Sequence, residues 1–507
     1  MKTAFVVGGA LLLLGTVAGS IVSGRGIPRF LSPLNGPPTE KVLIVEGRRE
    51  PSEAVVGRRA MKYLPFDVPE GVTRLVIRKE FDHGADPDRR NTVDMGLFDP
   101  RGGDATKGEP NAAGFRGWQG GVPNDLVVAA TPDACSPHAI PGYLPAGRWH
   151  IAQYFLKSSP SGLGYRYTIT LSFDGATPKK GNAPIPAYEP GILRPDAGWY
   201  VGNLHSHTVH SDGGRTLEDL VTRSESKGFD FLAVTDHNSP ATHYHFAAVG
   251  RAHPNHLLLM GNEFTSPGGH ANILNQKPGH FFDFRFDPGE GRLPAVIEEA
   301  HRQQALFMVN HPFAPCTSCP WIYPTSEWDR ADAIEVWNGP WTPDDRRAVD
   351  LWDRLLKQGR RLHAFGGTDY HRGEDAMIPA VRVFAANLSR KAVMEGLTKG
   401  RVTLSETPQG PTLSLTDARG TALPGATLRT RQGETIPIEV RVTGGMGKRL
   451  RLIRSDGETT RQVTTDEERI SLTIPAPAGS GYVRAELTGE DGRMLALTNP
   501  LYLVSGR

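Results

Sequence analysis

The sequence has few cysteines. Only three occur among 507 residues, Cys135, Cys316 and Cys319, and this number excludes a scaffold held together by disulfides. Cys316 and Cys319 have the C-x-x-C spacing of redox and zinc motifs, but no second pair completes a four-ligand zinc site. In an exported protein this spacing favours a local disulfide that shapes the loop after His311. A catalytic thiol is the alternative.

The sequence also lacks an excess of charge of either sign. Its 57 Lys and Arg residues are balanced by 55 Asp and Glu residues, so the formal net charge is +2. This balance gives no electrostatic basis for a dedicated nucleic-acid-binding protein, and no nucleic-acid partner is expected. Internal repeats and long charge runs are absent too. The composition, with 38% hydrophobic residues, is that of a soluble globular protein with room for three domains.

Long hydrophobic runs are missing except at the N-terminus. There Lys2 precedes an uncharged stretch over residues 4–23, and small residues follow its apolar centre. The pattern is typical of a secretory signal, and a run of about 20 residues also suits an uncleaved membrane anchor. Residues 1–23 are therefore expected to be a signal peptide or an anchor, so the protein would be periplasmic, secreted or tethered to a membrane. A buried helix of a cytosolic protein is the alternative.

Shifts in composition divide the remaining chain. Residues 24–40 and 174–197 are rich in Pro and Gly and are expected to be a tether and an interdomain linker. Residues 41–173 and 407–507 carry short alternating runs separated by turn clusters, which predicts a β-sandwich in each region. Residues 198–406 alternate strand and helix patterns and form the predicted α/β domain. For the first sandwich, a packing or positioning role is favoured over ligand binding.

The α/β region opens with a pair of histidines. His205 and His207 follow a short apolar run, and Asp212 and Gly213 come soon after them. Side chains at positions i and i+2 of an extended strand point the same way, so both imidazoles can reach one ion. Asp212 supplies an oxygen ligand, and Gly213 a turn. This stretch therefore predicts a metal site.

Residue types that bind metals recur at the ends of later apolar runs. Because helical segments separate these runs, the strand ends are expected to meet at the C-terminal rim of a barrel and to hold a metal cluster there. Packing in a core explains so many polar residues at strand ends poorly. The residues concerned are Asp236, His237, Glu263, His270, His311, Asp369 and His371.

The intervening helices have readable limits. Thr216 is placed to cap a helix that has Asp219 at its third position. Further helices are predicted over residues 293–304, 344–358 and 389–399. The resulting strand, helix, strand units are those that a parallel barrel requires.

Together these motifs resemble those of the PHP (polymerase and histidinol phosphatase) metallohydrolases. H-x-H-x-x-x-S-D-G, T-D-H-N, G-x-E, G-H, N-H-P and G-T-D-x-H occur in the family's order between Tyr200 and Glu406. The flanking segments are more similar to the CehA/McbA-like branch, which has an extra β-rich region before the PHP domain. The resemblance implies the fold class, an α/β protein with a distorted (β/α)7 PHP-type barrel flanked by N-terminal and C-terminal β-sandwich domains.

The resemblance also implies three divalent metal ions. The implied ligands are His205, His207, Asp369 and a bridging Glu263 for the first ion, Glu263, His270 and His311 for the second, and Asp212, His237 and His371 for the third. Mixed imidazole and carboxylate ligands suit Zn²⁺, Mn²⁺ or Fe²⁺ rather than Ca²⁺ or Mg²⁺.

Other polar residues near the motifs have open roles. Asp236 either orients the neighbouring ligand His237 or is only a turn residue. His243 and His245 are candidate proton donors to a leaving group, although loop histidines are usually just solvated. His210, within the first motif, is expected not to bind metal.

The expected reaction is hydrolysis by a metal-bound hydroxide at this trinuclear site. Asp369, His311 and Arg372 are the expected catalytic residues, with Arg372 contacting a phosphate oxygen. A phosphoesterase acting on a small-molecule ester is the primary expectation, because clustered ions bind two phosphate oxygens and neutralise the charge that develops. A carbamate or carboxylester hydrolase with the same site is one alternative, and a non-catalytic surface-binding protein is another. No protein partner is implied.

Overall fold

The structure, a computed structural model, describes residues 39–50, 61–82, 91–104, 109–121, 124–157, 162–175, 178–316, 319–373 and 377–506. The expected signal or anchor and nearly all of the expected tether lie outside these residues. Within the described part of the chain, no helix has both the length and the apolar character needed to cross a bilayer.

The described residues of the N-terminal region contain eight strands. They are β1 (Glu40–Arg49), β2 (Met61–Val68), β3 (Arg74–Phe81), β4 (Thr92–Phe98), β5 (Phe115–Gln119), β6 (Leu126–Val128), β7 (Gly147–Lys157) and β8 (Leu163–Ser172). They form two four-stranded antiparallel sheets, in the orders β1-β8-β3-β6 and β2-β7-β4-β5. Leu75 and Ile77 on one sheet and Leu97 and Ile151 on the other are buried in one apolar cluster. Two sheets that share a core are the arrangement a sandwich requires.

The central region alternates strands and helices. Its elements are β9 (Gly198–Asn203), α1 (Leu217–Ser226), β10 (Phe231–Val234), α2 (Phe246–Ala252), β11 (Leu257–Ser266), β12 (Gly269–Leu274), α3 (Leu293–Arg302), β13 (Leu306–Val309), β14 (Ala333–Asn338), α4 (Pro343–Lys357), β15 (His363–Gly367), β16 (Ala380–Ala385), α5 (Arg390–Thr398) and β17 (Val402–Ser405). Four helices lie where the sequence predicts them. The short helix α2, with seven residues, was not predicted.

The central sheet is mixed rather than parallel. Its strands follow the order β15-β14-β13-β12-β11-β10-β9-β16-β17. β10 is parallel to β9 and β11, and β14 is parallel to β13 and β15, but β12 is antiparallel to both neighbours. The uniformly parallel arrangement expected from the sequence is therefore wrong. No backbone pairing joins β15 to β16 among the described strands, so a closed (β/α)7 barrel stays a prediction.

Helix α1 shows why the local predictions succeeded. The hydroxyl of Thr216 accepts a hydrogen bond from the backbone N–H of Asp219 at 3.1 Å, which satisfies a donor that the helix itself leaves unpaired. Leu217, Leu220 and Val221 lie on one face and are buried. The cap and the apolar face together fix where the helix begins and which side packs on the sheet.

Nine strands form the C-terminal region as far as the structure describes it, to residue 506. They are β18 (Thr412–Asp417), β19 (Thr427–Arg431), β20 (Thr435–Thr443), β21 (Arg449–Arg454), β22 (Gly457–Gln462), β23 (Glu467–Pro475), β24 (Ser480–Thr488), β25 (Met494–Thr498) and β26 (Leu501–Gly506). β25 pairs with β17, so the central sheet continues into this region through β24 and β21. The separate sheet β18-β20-β23 shares a second apolar cluster with these strands.

The N-terminal sheets pack directly against the central region. The ring of Phe281 stacks on that of Phe115 with centroids 3.9 Å apart. The buried guanidinium of Arg285 donates to the hydroxyl of Tyr63 at 3.1 Å and to the carbonyl of Pro110 at 2.7 Å. These contacts fix one side of the N-terminal sandwich beside the strand ends of the central sheet.

Candidate metal centre

Four candidate ligand atoms converge on one buried point. The Nε2 atoms of His205 and His207 are 3.1 Å apart. Asp369 Oδ1 lies 3.2 and 3.0 Å from them, and Glu263 Oε2 lies 3.4 and 3.3 Å from them. A tetrahedral ion with bonds of about 2.0–2.1 Å separates its ligand atoms by about 3.3–3.4 Å. The spacing and the chemistry of these four groups therefore fit a divalent metal ion.

The second oxygen of Glu263 faces two further histidines. Glu263 Oε1 lies 3.2 Å from His270 Nδ1 and 3.3 Å from His311 Nε2. It also accepts a hydrogen bond from the Asn310 side-chain amide at 2.8 Å, which fixes the rotation of the carboxylate. The two oxygens thus face different groups of histidines, the placement that a bridging carboxylate needs.

A third group gathers around Asp212. Its Oδ1 lies 3.2 Å from His371 Nε2 and 3.6 Å from His237 Nε2. His207 adds a nitrogen to this group. The other ring nitrogen of His371 donates to the backbone carbonyl of Asp369 at 2.8 Å, so Nε2 is left to face Asp212.

The structure therefore brings all nine predicted ligands into one cluster. Their function as ligands stays a prediction. They lie in or just beyond β9, β10, β11, β12, β13 and β15. The strand ends meet at one edge of the sheet, which explains why residues far apart in the sequence come together.

Charge within the cluster is strongly coupled. Burial disfavours the ionised form of Glu263, but the charges of His237, His205 and His270 outweigh it and hold the pKa well below its usual range. Burial likewise opposes ionisation of Asp369, and His205 and His207 again outweigh it and depress the pKa. The carboxylates are therefore ionised throughout the neutral range, as metal binding requires.

The pKa values of the histidines are lowered or raised according to the charges of their neighbours. Burial lowers the pKa of His207 to about 4, and repulsion from His371 and His237 adds to the effect. Burial also opposes protonation of His237, but Glu263 and Asp212 outweigh it and raise the pKa to about 10. Without metal, a proton on His237 thus takes the place of a positive ion between two carboxylates.

Glu335 on β14 is a functional candidate that the sequence reasoning missed. It is completely buried, and its Oε1 lies 3.0 Å from His205 Nδ1. Its Oε2 accepts from the backbone N–H of His311 and from the Asn338 side-chain amide, both at 3.0 Å. A carboxylate at Nδ1 fixes the imidazole tautomer that presents a lone pair at Nε2. The available signal was an acidic residue inside an otherwise apolar strand.

Asp236 organises the loop that carries Asp212. Its carboxylate accepts from the backbone N–H and the hydroxyl of Thr208 and from the hydroxyl of Ser211, each at 2.7 Å. His138, from the N-terminal region, donates to the carbonyl of Ser211 at 2.8 Å. Asp236 therefore positions the first motif and is more than a turn residue. Its carboxylate accepts hydrogen bonds from the loop that supplies Asp212 and from the hydroxyl of Thr242.

Three residues at the site have positive φ angles although they are not glycine. They are Asn238 at 50°, His311 at 20° and Asp369 at 46°. Such conformations cost about 1–3 kcal/mol each and persist where the surrounding structure enforces them. Two of the three are predicted ligands, so the fold holds ligand-bearing residues in a strained backbone conformation that places them at the cluster.

Other predicted residues have different contacts. Arg372 donates to the backbone carbonyl of Asp212 at 2.7 Å, so it secures the loop, and its contact with a phosphate oxygen stays a prediction. His243 meets backbone groups at both nitrogens, the carbonyl of Gly261 at 3.3 Å and the N–H of Gly279 at 3.1 Å. This contradicts its suggested role as a proton donor.

Two other histidines lie apart from the cluster. His210 belongs to none of the candidate metal-binding groups among the described residues. Its ring lies 4.9 Å from that of His245, and neither lines the cleft described next. Within the described part of the chain, neither His210 nor His245 is therefore placed to donate a proton to a leaving group in the cleft.

The cluster forms the floor of a cleft of about 390 Å³. Trp118, Tyr154 and Asp94 of the N-terminal sandwich form part of its wall, together with His237 and His371. Trp118 meets Phe284 edge-on at 4.8 Å. The N-terminal region thus contributes surface to the cleft as well as positioning the first motif.

Asp94 is the second functional candidate that the sequence analysis missed. Its Oδ1 is buried in the cleft wall and has no hydrogen-bond partner among the described residues. Burial raises the pKa of Asp94 to about 6, and the charge of Lys79 opposes this effect. Nothing in the sequence around β4 distinguishes this Asp, because its neighbours in the cleft come from another region of the chain.

The predicted disulfide is confirmed. Cys316 and Cys319 are bonded, and Cys135 is free. The disulfide lies beside the cluster and lines the cleft together with His270 and His311. Among the described residues lining the cleft, none is Arg or Lys.

Comparison with known proteins gives partial likenesses in structure alone. No model of a known protein family matches the chain, and no curated protein matches it. The chain is similar to a two-domain protein from Bacteroides vulgatus containing a predicted PHP-like metal-dependent phosphoesterase, with 17% identity, a TM-score of 0.37, and coverage of 64% of this chain and 100% of the other.

Two shorter likenesses accompany it. One is to a Bifidobacterium adolescentis protein named for an expected metal-dependent phosphoesterase activity (16% identity, TM-score 0.28, 39% of this chain and 95% of the other). The other is to an amidohydrolase from Chromobacterium violaceum with bound sulfate (17% identity, TM-score 0.27, 35% and 90%). Since all three TM-scores are below 0.5, the function proposed next depends on the site itself.

Proposed function

We propose that the protein is a metal-dependent hydrolase of the PHP type and that its substrate is a phosphate ester. The observation that carries this proposal is the convergence of His205, His207, Glu263 and Asp369 on one buried point, with distances of 3.0–3.4 Å that fit a divalent ion. Divalent ions at this cluster would lower the pKa of a coordinated water and neutralise charge that develops on an ester oxygen.

The chain's own groups prepare this chemistry. Glu335 and the carbonyl of Asp369 hold one nitrogen of His205 and of His371, so the other nitrogen of each ring faces the cluster. Asn310 fixes the rotation of Glu263. Because these contacts exist before any substrate binds, the side chains of the site need not reorient during the reaction.

The charge of the cleft narrows the substrate class. No Arg or Lys lines it in the described part of the chain, and Asp94 adds a carboxyl group to the wall. A dianionic monoester would therefore meet no protein cation there, whereas a diester carries a single negative charge. We expect the protein to prefer phosphodiesters to phosphomonoesters.

The same observation favours a second candidate function. Carboxyl esters and carbamates are neutral and need no protein cation, so a cleft without Arg or Lys suits them as well. The metal cluster would polarise their carbonyl group in the same way. This candidate corresponds to the CehA/McbA-like branch, whose β-rich N-terminal region the observed sandwich would represent.

The deciding experiment compares three chromogenic substrates. The purified protein, loaded with Mn²⁺ or Zn²⁺, is assayed on bis-p-nitrophenyl phosphate, p-nitrophenyl phosphate and p-nitrophenyl acetate, with Asp369→Ala as the control. Turnover of the diester that disappears in Asp369→Ala would support the phosphoesterase proposal. Turnover of the acetate alone would move the assignment to esters and carbamates. Activity that survives in Asp369→Ala, or none on any substrate, would contradict both and favour a binding role.

We also propose that the protein is exported. The N-terminal pattern over residues 1–23 carries this proposal, and the Cys316–Cys319 disulfide supports it, because such bonds persist mainly in oxidising compartments. Expression of the full chain followed by N-terminal sequencing of the mature protein would test it. A start at Met1 in the cytosolic fraction would contradict it.

A further inference from the structure

The disulfide lies unusually close to the candidate metal centre. One ring nitrogen of His270, one of His311 and the sulfur of Cys319 all lie within 4.8 Å of one another. Both histidines are buried, whereas Cys316 is exposed to solvent. The metal cluster and the disulfide therefore share two histidine neighbours.

Each of these two histidines has one ring nitrogen without a hydrogen-bond partner among the described residues. His270 Nδ1 and His311 Nε2 face Glu263 Oε1. The other two nitrogens, His270 Nε2 and His311 Nδ1, are buried without a hydrogen-bond partner among the described residues. Buried polar atoms without partners are uncommon and costly. Each of the two rings that approach the Cys319 sulfur thus keeps one nitrogen without a partner among the described residues, so both rings are able to take a further ligand.

We propose that Cys319 is a third metal ligand beside His270 and His311, and that its disulfide with Cys316 withholds it. A sulfur in a disulfide has no thiolate charge to donate, whereas a free thiolate together with two imidazoles is a set that Zn²⁺ favours. The inference goes beyond the proposed function, because it requires metal binding but not ester hydrolysis.

The change from the Cys316–Cys319 disulfide to a metal-bound Cys319 thiolate is a balanced reaction. A dithiol reductant gives two electrons and two protons to the Cys316–Cys319 bond, which becomes two thiols while the reductant becomes a disulfide. The metal ion then displaces the proton of the Cys319 thiol. Adding a thiolate also changes metal preference, because sulfur favours Zn²⁺ and Co²⁺ over Mn²⁺.

A matched pair of variants isolates the sulfur. Cys316→Ser and Cys319→Ser both lose the disulfide, but only Cys316→Ser keeps a sulfur beside the histidines. Each is made in the full chain and loaded with Co²⁺, alongside oxidised protein and protein reduced with a phosphine. The phosphine takes an oxygen atom from water, becomes a phosphine oxide and leaves two thiols. The readout is the near-ultraviolet thiolate-to-cobalt charge-transfer band, which needs no enzymatic activity.

We expect the band in Cys316→Ser and in the reduced protein, and not in Cys319→Ser or in the oxidised protein. Zinc should bind Cys316→Ser at least about tenfold more tightly than Cys319→Ser, while manganese affinity stays equal. A band of equal strength in both variants would overturn the inference, because Cys319 would then not be required and the sulfur would be that of Cys135 or of either cysteine of the pair. If all four samples bound cobalt without the band, the inference about Cys319 would also be overturned, but the proposal of a metal cluster would stand. Cobalt bound by none would overturn the cluster as well.

Discussion

The Nε2 atoms of His205 and His207 lie 3.1 Å apart in a completely buried setting. Two imidazoles that both turned a lone pair toward the other at this distance would repel, so either a proton on one Nε2 or a metal ion must lie between them. The carboxylates of Glu263 and Asp369 face the same point. The pair is therefore stable only when a proton or a metal ion occupies that position.

Metal binding should release protons. Although burial opposes it, Glu263 and Asp212 raise the pKa of His237 to about 10, so this ring holds a proton at neutral pH when no metal is bound. Metal binding must displace that proton, and affinity should rise about tenfold per pH unit for each proton displaced. Calorimetric titration at pH 8 in two buffers of different ionisation enthalpy measures the release. His237→Gln should lower the proton count, and a heat independent of buffer would contradict the prediction.

Glu335→Gln should weaken metal binding without unfolding the protein. Glu335 accepts at one oxygen from His205 and at the other from His311 and Asn338. A glutamine has only one acceptor oxygen, so one of these contacts must be lost. Loss of such a partner typically costs about 10–100-fold in metal affinity.

The matched control is Glu327→Gln. Glu327 is also buried in the central region, but it accepts from the backbone N–H of Gly289, away from the cluster. Competition with a chelating dye measures both affinities. Equal zinc affinities for the two variants would show that Glu335 does not position His205.

Gly367→Ala should also displace His205. A Cβ atom at Gly367 would lie 2.2 Å from the Cβ of His205 and 2.6 Å from Glu335 Oε1. Neither neighbour can move freely, so the substitution should cost about 1–3 kcal/mol of stability and weaken metal binding. Gly198→Ala is the control, because a Cβ there has nothing within 4 Å. Urea unfolding compares the two, and equal midpoints would contradict the prediction.

Glu486→Gln should destabilise the junction with the C-terminal region. Glu486 is buried and lies 2.7 Å from Arg484 and 2.6 Å from Arg451, and Arg484 also contacts Asp353 of α4 at 2.8 Å. Removing the charge leaves a buried arginine short of a partner, which should cost about 3 kcal/mol. Glu458→Gln, at the exposed carboxylate of Arg451, should change stability by less than about 0.5 kcal/mol. Similar losses in both variants would contradict this account.

The lowered pKa of Glu486 also predicts that the protein loses folding stability at acid pH. Burial opposes ionisation of Glu486, but Arg484, Arg346 and Arg451 outweigh it and lower the pKa to about 2 from an ordinary value of 4.5. A lowered pKa means that the unfolded chain binds the proton more readily, so stability falls as the pH drops from about 4.5 toward 2. Glu486→Gln should show a shallower loss over this range. Parallel stability curves would contradict the assignment.

The local features were readable from the sequence because each depends on near neighbours. The His205-x-His207 spacing, the Thr216 cap and the Cys316–Cys319 bond involve residues a few positions apart. The cluster as a whole followed from one further rule, that strand ends of a sheet meet at one edge.

The remaining features depend on register and on long-range packing. The Pro267-Gly268 turn makes β11 and β12 a hairpin. The sequence analysis interpreted this stretch only as the position of the ligand His270, so the expected parallel sheet was wrong. Asp94 reaches the cleft only because the N-terminal sandwich packs on Phe281 and Arg285. Periodicity within one segment contains no information about such contacts.

Anomalous X-ray scattering from crystals of the full chain grown with Zn²⁺ tests the central claim most directly. The account predicts a strong anomalous peak enclosed by His205 Nε2, His207 Nε2, Glu263 Oε2 and Asp369 Oδ1, and no peak there in Asp369→Ala. Peaks found only at surface residues, with the four side chains still in contact around an empty position, would contradict it.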